Sequence, residues 1–494
     1  MNKFTRRQFL KTSAIAGASL CELPAILRAQ QAPAASATGS ANGDIRIAVV
    51  GFHGRGGDHI GEFSKMKGVR LVALCDVDQT VLAKGVERLK KDNIEVEGYK
   101  DIRKLLESKN LDAISVATPN HWHALAGIWA VQAGKDVYLE KPVSNNVWEG
   151  RKIVEAARKY KKIVQTGTQS RSSRAIREAV AWVKAGNLGP IKVSRGLCYK
   201  PRPSIGTSQG PQSVPDSIDY DLWCGPAPLI PPRRNTPRFG TVHYDWHWFW
   251  DYGAGDLGNQ GIHQMDIARR FIDSNELAPR VFAVGGRLGY EDDGETPNTV
   301  MVYQDYGKVP LIFEVRGLPE KTGSSNMDKY KGANVGNICE CENGYLLITS
   351  SYSQAVAFDN DGKEMKKFDG GGNHYANFIE AVRSRKVSDL NADILEGHLS
   401  SALCHTGNIS YRIGKKESPD AIKEAIKADK EATETFGRMA AHLDANGVDL
   451  MKTKATLGMV LKMDTKAEQF IGNDDANKLV RREYRKPFVV PENV

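Results

Sequence analysis

The strongest constraint on the fold is a mostly apolar run that passes directly into a glycine-rich turn. Residues 45–50 form the run, Gly51, Gly54 and Gly56 follow, and apolar residues then recur at helical spacing over 59–66. This order predicts a strand, a tight turn and a helix. Glycines let an anionic group approach the backbone closely, and the unpaired amides of a helix N-terminus favour negative charge. The segment therefore predicts a dinucleotide-binding turn.

An acid after the second predicted strand, over 69–75, supports this interpretation. Asp76 lies 20 residues beyond Gly56. An acid at this offset binds ribose hydroxyls, and its charge repels a 2′-phosphate, so we expect NAD rather than NADP. Two observations weaken the motif: His53 stands where a second glycine is usual, and Asp76 could instead be a turn-forming acid.

Strands and helices continue to alternate up to residue 166. Further strands are predicted at 95–99, 111–117, 136–139 and 162–166, and helices at 79–90, 102–108, 121–134 and 148–160. This alternation predicts a doubly wound parallel sheet, a Rossmann domain over residues 44–167, with its ligand crevice at the carboxyl ends of the strands. Gly51, Asp76, Thr118 and Lys141 all follow predicted strands.

The periodicity changes in the next segment, residues 168–369. A helix is predicted over 174–184, followed by strands at 191–199, 283–286, 299–303, 311–316, 345–349 and 355–358. Turn signals at Asn343-Gly344 and Asp361-Gly362 fit antiparallel hairpins. The fold class is therefore α/β plus α+β, with an open, mostly antiparallel sheet in the second domain. An exposed sheet face needs covering, so we expect a homodimer or homotetramer.

Residues 243–266 are the richest in chemistry-bearing side chains. If a helix begins near Asp256, Asn259 and His263 share one face, and Asp266 can orient the imidazole for proton transfer. The aromatic residues before it, Trp248 among them, stack on sugar rings in some proteins and fill cores in others, and both interpretations stay open. The pairs His121/His123 and His243/His247 lack a third ligand at suitable spacing, so no metal site is predicted.

Several of these segments resemble the Gfo/Idh/MocA oxidoreductases, named for glucose-fructose oxidoreductase and inositol dehydrogenase. They are the glycine turn, A-T-P-N-H-W-H at 117–123, Glu140-Lys141-Pro142, and residues 259–263, which are similar to the family motif D-x-G-x-H. The resemblance implies that Lys141 reaches both the nicotinamide and the reacting hydroxyl, with His263 as general base. Asn259 replaces the motif aspartate, so proton transfer would fall to Lys141 and His263.

The predicted site has three parts. The expected cofactor contacts are Gly51, His53, Gly54, Arg55, Gly56, Asp76, Thr118, Pro119, Asn120, His123, Glu140 and Lys141. The expected catalytic residues are Lys141, His263 and Asn259. The expected substrate contacts are Tyr199, Trp248, Asp256 and His263.

These residues predict an NAD(P)-dependent oxidoreductase that acts on the CH–OH group of a sugar, polyol, sugar acid or glycoside. A redox-neutral glycoside hydrolase or lyase, which oxidises its substrate transiently, is the first alternative. A non-catalytic sugar-binding protein is the second, since loss of the motif aspartate permits it.

The N-terminus predicts export. Arg6 and Arg7 lie in T-R-R-Q-F-L-K, and an apolar stretch follows at 14–20. This is typical of a twin-arginine signal, so residues 1–43 are expected to be a signal and leader that direct the chain through the twin-arginine machinery to the periplasm. A membrane anchor is the alternative, but the stretch is shorter than the roughly 20 residues that span a bilayer. Cleavage after Ala29 and after Ala37 fit equally well.

Composition excludes several classes of protein. Hydrophobic residues at 41% and charged residues at 26% describe an ordinary folded chain without stable membrane insertion. The net charge of +9 falls to +5 without residues 1–29, so no nucleic-acid partner is predicted. Residues 370–415 are expected to be helices that return to the Rossmann domain, and 416–494 a helical extension and tail that packs or assembles.

Overall fold

The computed structural model describes residues 43–233 and 240–494, which belong to one compact unit. The predicted export signal lies outside the described residues. Within those two ranges, no helix is both long and apolar enough to cross a bilayer.

The first part of the chain forms a six-stranded parallel sheet in the order β3-β2-β1-β4-β5-β6. Its strands are β1 (Ile45–Val50), β2 (Val69–Cys75), β3 (Glu97–Tyr99), β4 (Ala113–Val116), β5 (Asp136–Leu139) and β6 (Val164–Thr166). The connecting helices are α1 (Arg55–Phe63), α2 (Gln79–Lys91), α3 (Ile102–Leu106), α4 (Asn120–Gln132) and α5 (Val147–Lys159). The predicted Rossmann sheet is confirmed, and its strand order reverses between β1 and β4, where such sheets bind their ligands.

Helix α1 begins at Arg55, four residues before the predicted helix. Its first turn contains Gly56 and Gly57, which have no side chains and so contribute nothing to an apolar periodicity. The helix therefore starts directly at the glycine turn, with its amides facing the carboxyl end of β1.

The second part of the chain forms a mostly antiparallel sheet, as predicted. Within the described residues it contains twelve strands, and its main path runs β14-β13-β12-β11-β7-β10-β9-β8-β16-β15. Only β7 and β10 pair in parallel along this path. The strands are β7 (Ile191–Tyr199), β8 (Arg280–Gly286), β9 (Thr299–Asp305), β10 (Pro310–Arg316), β11 (Val335–Cys341), β12 (Gly344–Thr349), β13 (Gln354–Phe358), β14 (Glu364–Asp369), β15 (Lys415–Glu417), β16 (Ala455–Leu457), β17 (Leu461–Asp464) and β18 (Gln469–Phe470).

Helices on this half pack against both sheets. They are α6 (Arg174–Lys184), α7 (Tyr220–Cys224), α8 (Ile262–Arg269), α9 (His374–Ser384), α10 (Ile394–Arg412), α11 (Pro419–Ile426), α12 (Lys430–Ala445) and α13 (Asp474–Val480). Helix α9 buries Tyr375 and Phe378 against the parallel sheet. Helix α10 contacts α5 on one side and α8 and β8 on the other. It therefore holds the end of β5 beside the segment that leads into α8.

Residues 416–494 contribute strands as well as the expected helices. The short strands β16 and β17 extend the sheet beside β8. Helices α11 and α12 cover an outward face of the sheet, where Phe436 and Met439 pack against Phe282 and Ile312. The strands were missed because pieces of two to four residues carry no readable periodicity.

Candidate active site

A cavity of about 520 Å³ lies at the carboxyl ends of β1, β2, β4 and β5. It contains the predicted cofactor contacts other than Gly56 together with one predicted catalytic residue of the second domain. These lining residues are Gly51, His53, Gly54, Arg55, Asp76, Thr118, Pro119, Asn120, His123, Glu140, Lys141 and Asn259. The ends of four strands thus converge on one space.

Two glycines at the turn are required by the close packing of the backbone. Gly51 has a φ of +74°, and a Cβ there would lie 2.9 Å from Thr118 Cα. A Cβ on Gly56 would lie 2.1 Å from the carbonyl oxygen of Gly51. Gly56 therefore supports the turn from behind and does not face the cavity itself. A Cβ on Gly54, in contrast, would meet no atom within 4 Å.

The groups around this turn fit the pyrophosphate and ribose of a dinucleotide. Helix α1 has no side-chain N-cap; Gly57 N donates to Gly54 O at 2.9 Å, and the amides of Arg55 and Gly56 before it are suited to bind an anion. The Asp76 carboxylate, at the end of β2, accepts hydrogen bonds from the amides of Phe52 and Asp78, each at 3.0 Å. Among the described residues, Thr118 Oγ1 and Asn120 Oδ1 are buried without a hydrogen-bond partner. These side chains and the α1 amides would hold the dinucleotide.

Glu140 is an anchoring residue for this end of the sheet. Its carboxylate lies 3.1 Å from His59 Nε2 and 3.2 Å from Arg55 Nε, and it is 3% exposed. Burial alone would raise the pKa of Glu140, but the hydrogen bond from His59 and the charge of Arg55 hold it well below its ordinary value. The carboxylate therefore ties the end of β5 to the start of α1.

His123 joins two strand ends. Its Nδ1 lies 2.5 Å from the carbonyl oxygen of Pro142, and its Nε2 lies 2.8 Å from that of Thr118. Burial lowers the pKa of the ring, which favours its neutral form. A neutral ring has a single N–H, so it donates to one of these two carbonyl oxygens, which lie after β4 and after β5.

Lys141 is the cationic side chain at the end of β5. Its Nζ donates to the carbonyl oxygen of Asn259 at 3.0 Å, which joins the two domains at the cavity. Burial lowers the pKa of Lys141, opposed by Glu140 and reinforced by the charges of Arg55 and Lys200. The side-chain amide of Asn259 makes no hydrogen bond with any described residue, so it is available to a ligand.

His263 follows Asn259, but the helix between them differs from the expected one. Residues Leu257–Gly261 form a π-helical turn before α8 begins. Burial, together with the charge of Lys141, lowers the pKa of His263 to about 3, and its Nδ1 has no partner among the described residues. The expectation that Asp266 orients this ring is wrong, because the Asp266 carboxylate accepts from Arg171 at 2.9 Å and from Ser400 at 2.7 Å.

None of the four predicted substrate contacts lines the cavity: His263 is described above, and the other three are engaged elsewhere. Tyr199 is fully buried in the sheet and donates to Glu314 at 2.7 Å. The Asp256 carboxylate accepts hydrogen bonds from Nε and Nη2 of Arg202, each at 2.6 Å. Trp248 is 6% exposed, with the Arg202 guanidinium 5.1 Å from its ring centre. Packing and ion pairing occupy these groups, so their assignment as substrate contacts is corrected.

Other aromatic side chains from the same region face the cavity. His243, Tyr244, Trp246 and His247 line the cavity, together with Trp223 from α7. The aromatic segment was visible in the sequence. Which rings face inward depends on a 3₁₀ turn at Asp245–Trp248, preceded by a positive φ of 64° at Tyr244, and neither has a sequence signature.

A glycine cradle, an acid after β2 and a lysine after β5, joined to an antiparallel sheet domain, define a two-domain dinucleotide-binding oxidoreductase fold. Residues 45–168 match the family described as "Oxidoreductase family, NAD-binding Rossmann fold", and residues 174–319 match "Oxidoreductase family, C-terminal alpha/beta domain". The chain belongs to the Gfo/Idh/MocA oxidoreductase family, and its first domain is an NAD-binding domain.

Curated relatives match about a third of the chain. A "Glycosyl hydrolase family 109 protein" of Shewanella baltica is 30% identical over 177 residues, which is 33% of this chain and 39% of the relative. An "Alpha-N-acetylgalactosaminidase" of Shewanella oneidensis shows the same identity and coverage. The match therefore spans about two fifths of the length of these relatives.

Solved structures are similar over both domains. The WlbA dehydrogenase from Bordetella pertussis, in complex with NADH and UDP-GlcNAcA, has a TM-score of 0.53 and 18% identity, covering 73% of this chain and 94% of that one. A putative NADPH-dependent oxidoreductase from Desulfitobacterium hafniense has a TM-score of 0.55 and 13% identity, covering 74% and 95%. At these identities the similarity establishes the fold.

Proposed function

We propose that this chain is an NAD-dependent oxidoreductase acting on a CH–OH group of a sugar, polyol, sugar acid or glycoside. The observation that carries the proposal is the position of Lys141: it lines the cavity at the end of β5, and its Nζ lies 3.0 Å from the Asn259 carbonyl oxygen. A lysine with a lowered pKa, on a cavity wall that also carries the free Asn259 amide, is suited to bind a hydroxyl and exchange its proton.

The roles of the three residues follow from their surroundings. When bound, the nicotinamide supplies a hydride acceptor and donor. Lys141 is the better proton carrier, because a ring with a pKa near 3 is a weak base at neutral pH. His263, which is neutral, is then a hydrogen-bonding partner for a hydroxyl, and the Asn259 amide is a second one.

Retention of the cofactor is part of the proposal. Residues 215–224, here called the strap, bridge to the end of β2: Asp219 N donates to Val77 O at 3.1 Å, and Lys100 binds the Asp219 carboxylate at 2.9 Å. Arg485 holds the strap in place. Its guanidinium donates hydrogen bonds to the Asp221 side chain and, at 2.7 Å, to the Asp221 carbonyl oxygen. A closed strap suits an exported protein that leaves the cytoplasm with its cofactor, as the twin-arginine pattern suggests.

A redox-neutral glycosidase is the second candidate. In such a cycle the sugar is oxidised, loses its glycosidic substituent by elimination, adds water and is reduced again, so the net reaction is hydrolysis. It is supported by the Shewanella relatives, a glycosyl hydrolase family 109 protein and an alpha-N-acetylgalactosaminidase, which match about a third of the chain. A non-catalytic binding protein is less well supported, because Lys141 and His263 are retained.

The first test is to purify the protein without added cofactor, denature it, and identify the released dinucleotide by mass spectrometry. The folded protein is then mixed with sugars and glycosides while reduced-nicotinamide absorbance is followed. Bound NAD that one substrate reduces and a second reoxidises is the expected result. Glycoside cleavage without a net absorbance change supports the glycosidase. Absence of any dinucleotide, with none bound on addition, contradicts both.

A further inference from the structure

A second cavity, of about 200 Å³, shares no lining residue with the first. It lies where four parts of the chain meet: the loop before α5, residues 250–254, the C-terminal half of α10, and the end of α13 with the residues that follow it. The last of these belongs to the C-terminal extension, whose residues 478–482 have no part in the proposed reaction or in cofactor retention.

Two arginines in this cavity lack a carboxylate partner among the described residues. Arg412 lies over the ring of Trp250, 5.0 Å from its centre, and makes no hydrogen bond within those residues. Arg482 donates to the carbonyl oxygen of Asp251 at 2.9 Å. Asp251 itself lines the cavity, but its carboxylate forms no ion pair with either guanidinium. The cavity therefore offers guanidinium donors that an anionic group can take up.

Hydrogen-bond acceptors face the same space. Asn408 is 5% exposed, and its Oδ1 has no partner among the described residues, while its Nδ2 donates to Ala254 O at 2.9 Å. Asn145 is similar: its Oδ1 is buried without a partner, and its Nδ2 donates to Trp250 O at 3.3 Å. Because each amide nitrogen is bonded to a carbonyl, each amide oxygen is fixed as an acceptor that needs a donor from a ligand.

Guanidinium donors and buried amide acceptors together select one class of ligand. A simple anion satisfies only the arginines, and a neutral sugar satisfies the amides but leaves both guanidinium groups without a hydrogen-bonded carboxylate. We propose that this cavity binds a hydroxylated carboxylate of monosaccharide size, of the hexuronic acid class. Binding would also touch both halves of the active site, since Asn145 follows Lys141 in the chain and residues 250–254 precede the turn that contains Asn259.

The test is isothermal titration calorimetry of the full chain with D-glucuronate, D-glucose and inorganic phosphate. We expect glucuronate to bind at least about tenfold more tightly than either of the others. Arg412→Gln, at the exposed rim, and Arg482→Gln should each weaken binding about tenfold. Asn408→Leu should weaken it as well. The matched control is Arg70→Gln, an exposed arginine on β2, which should leave it unchanged.

A Lys141→Met variant distinguishes the two sites, because it changes the active site and should still bind glucuronate in this cavity. Loss of binding in that variant alone would assign the ligand to the active site and overturn the proposal. Equal binding of phosphate would reduce the cavity to a general anion site and also overturn it. Melting temperatures of each variant identify any that fail to fold, in which case Arg412→Gln, an exposed side chain with no hydrogen bond to the described residues, decides. Because binding and not turnover is measured, the outcome is independent of the proposed reaction.

Discussion

At the residue scale, Lys141 differs from Glu140 and Asp256 in that it forms no ion pair with a described residue. Glu140 is matched by Arg55 and His59, and Asp256 by Arg202, whereas Lys141 bonds only a carbonyl oxygen. Lysine in such surroundings loses its proton more easily than in water. This difference makes Lys141 the residue on which the proposed reaction depends most.

Replacing Lys141 with methionine should lower turnover about 10²- to 10⁴-fold, because it removes the proton acceptor and leaves the cofactor cradle intact. Steady-state kinetics measure the loss, and mass spectrometry of the denatured variant should still find the dinucleotide. Lys308→Met, at an exposed turn, is the matched control. Full activity of the Lys141 variant would contradict the assignment.

The pH dependence of the reaction should follow Lys141. To accept a proton the amine must be uncharged, so the oxidation rate should rise with pH and level off once the amine is deprotonated. Since its pKa is lowered, that plateau should begin below the value for a free lysine. The measurement is kcat/KM against pH. A profile that falls as pH rises through this range would argue against a lysine base.

At the element scale, the segments that the sequence predicts well are those whose structure is determined locally, such as the strand-turn-helix unit of β1 and α1. Residues with strong periodicity or fixed turn chemistry were predictable, and β1, β2, β5, α6 and β7 have the expected bounds. The π-turn at Leu257–Gly261 was not, since it results from packing on β7 and β10 and not from local preference. The misassigned substrate contacts, Tyr199 and Trp248, followed from the same cause: composition does not tell which face of an element a distant segment covers.

Gly56→Ala should disrupt dinucleotide binding and lower the free energy of unfolding by at least about 3 kcal/mol, because the new Cβ would overlap the Gly51 carbonyl. Gly61→Ala in the same helix is the control: a Cβ there meets no atom within 4 Å, so about 0.5–1 kcal/mol of stabilisation is expected. Chemical denaturation and dinucleotide content measure both. Equal effects of the two substitutions would contradict the requirement for glycine at position 56.

At the scale of the whole molecule, the C-terminal extension binds the domains together. Glu468, next to β18, accepts from His398 on α10 and from Arg151 on α5. Helices α11 and α12 cover part of the second sheet, so a homodimer or homotetramer, which stays a prediction, needs a different surface. Packing of this extension was expected, but its partners were not predictable, because these contacts join residues 70 and 317 positions apart.

The Glu468 contacts predict a stability effect that depends on pH. Burial would raise the pKa of Glu468, but His398 and Arg151 lower it to about 2. A depressed carboxyl pKa stabilises the fold above the unfolded value near 4.5, and that contribution disappears as pH falls toward 2. Glu468→Gln should therefore cost about 2 kcal/mol at pH 7 and little at pH 2.5, as measured by denaturation. An equal loss at both pH values would contradict the ionic role.

The strap predicts slow cofactor exchange. Arg485→Gln removes its outer fastening, so exchange of bound NAD for isotopically labelled NAD should speed up at least about tenfold. Mass spectrometry of the recovered dinucleotide gives the rate. The exposed substitution Arg70→Gln should have no effect, and unchanged exchange in the Arg485 variant would show that the strap does not limit release.

The end of the chain also completes the core of the first sheet. Phe488, Val490 and Val494 are buried in the same apolar cluster as Val116 and Leu139, and the Phe488 ring contacts Trp122. N-terminal domains commonly fold while the rest of the chain is still being synthesised. Here the cluster is closed only once residues 488–494 have been synthesised, so the NAD-binding domain reaches its final packing after the whole second sheet has been made.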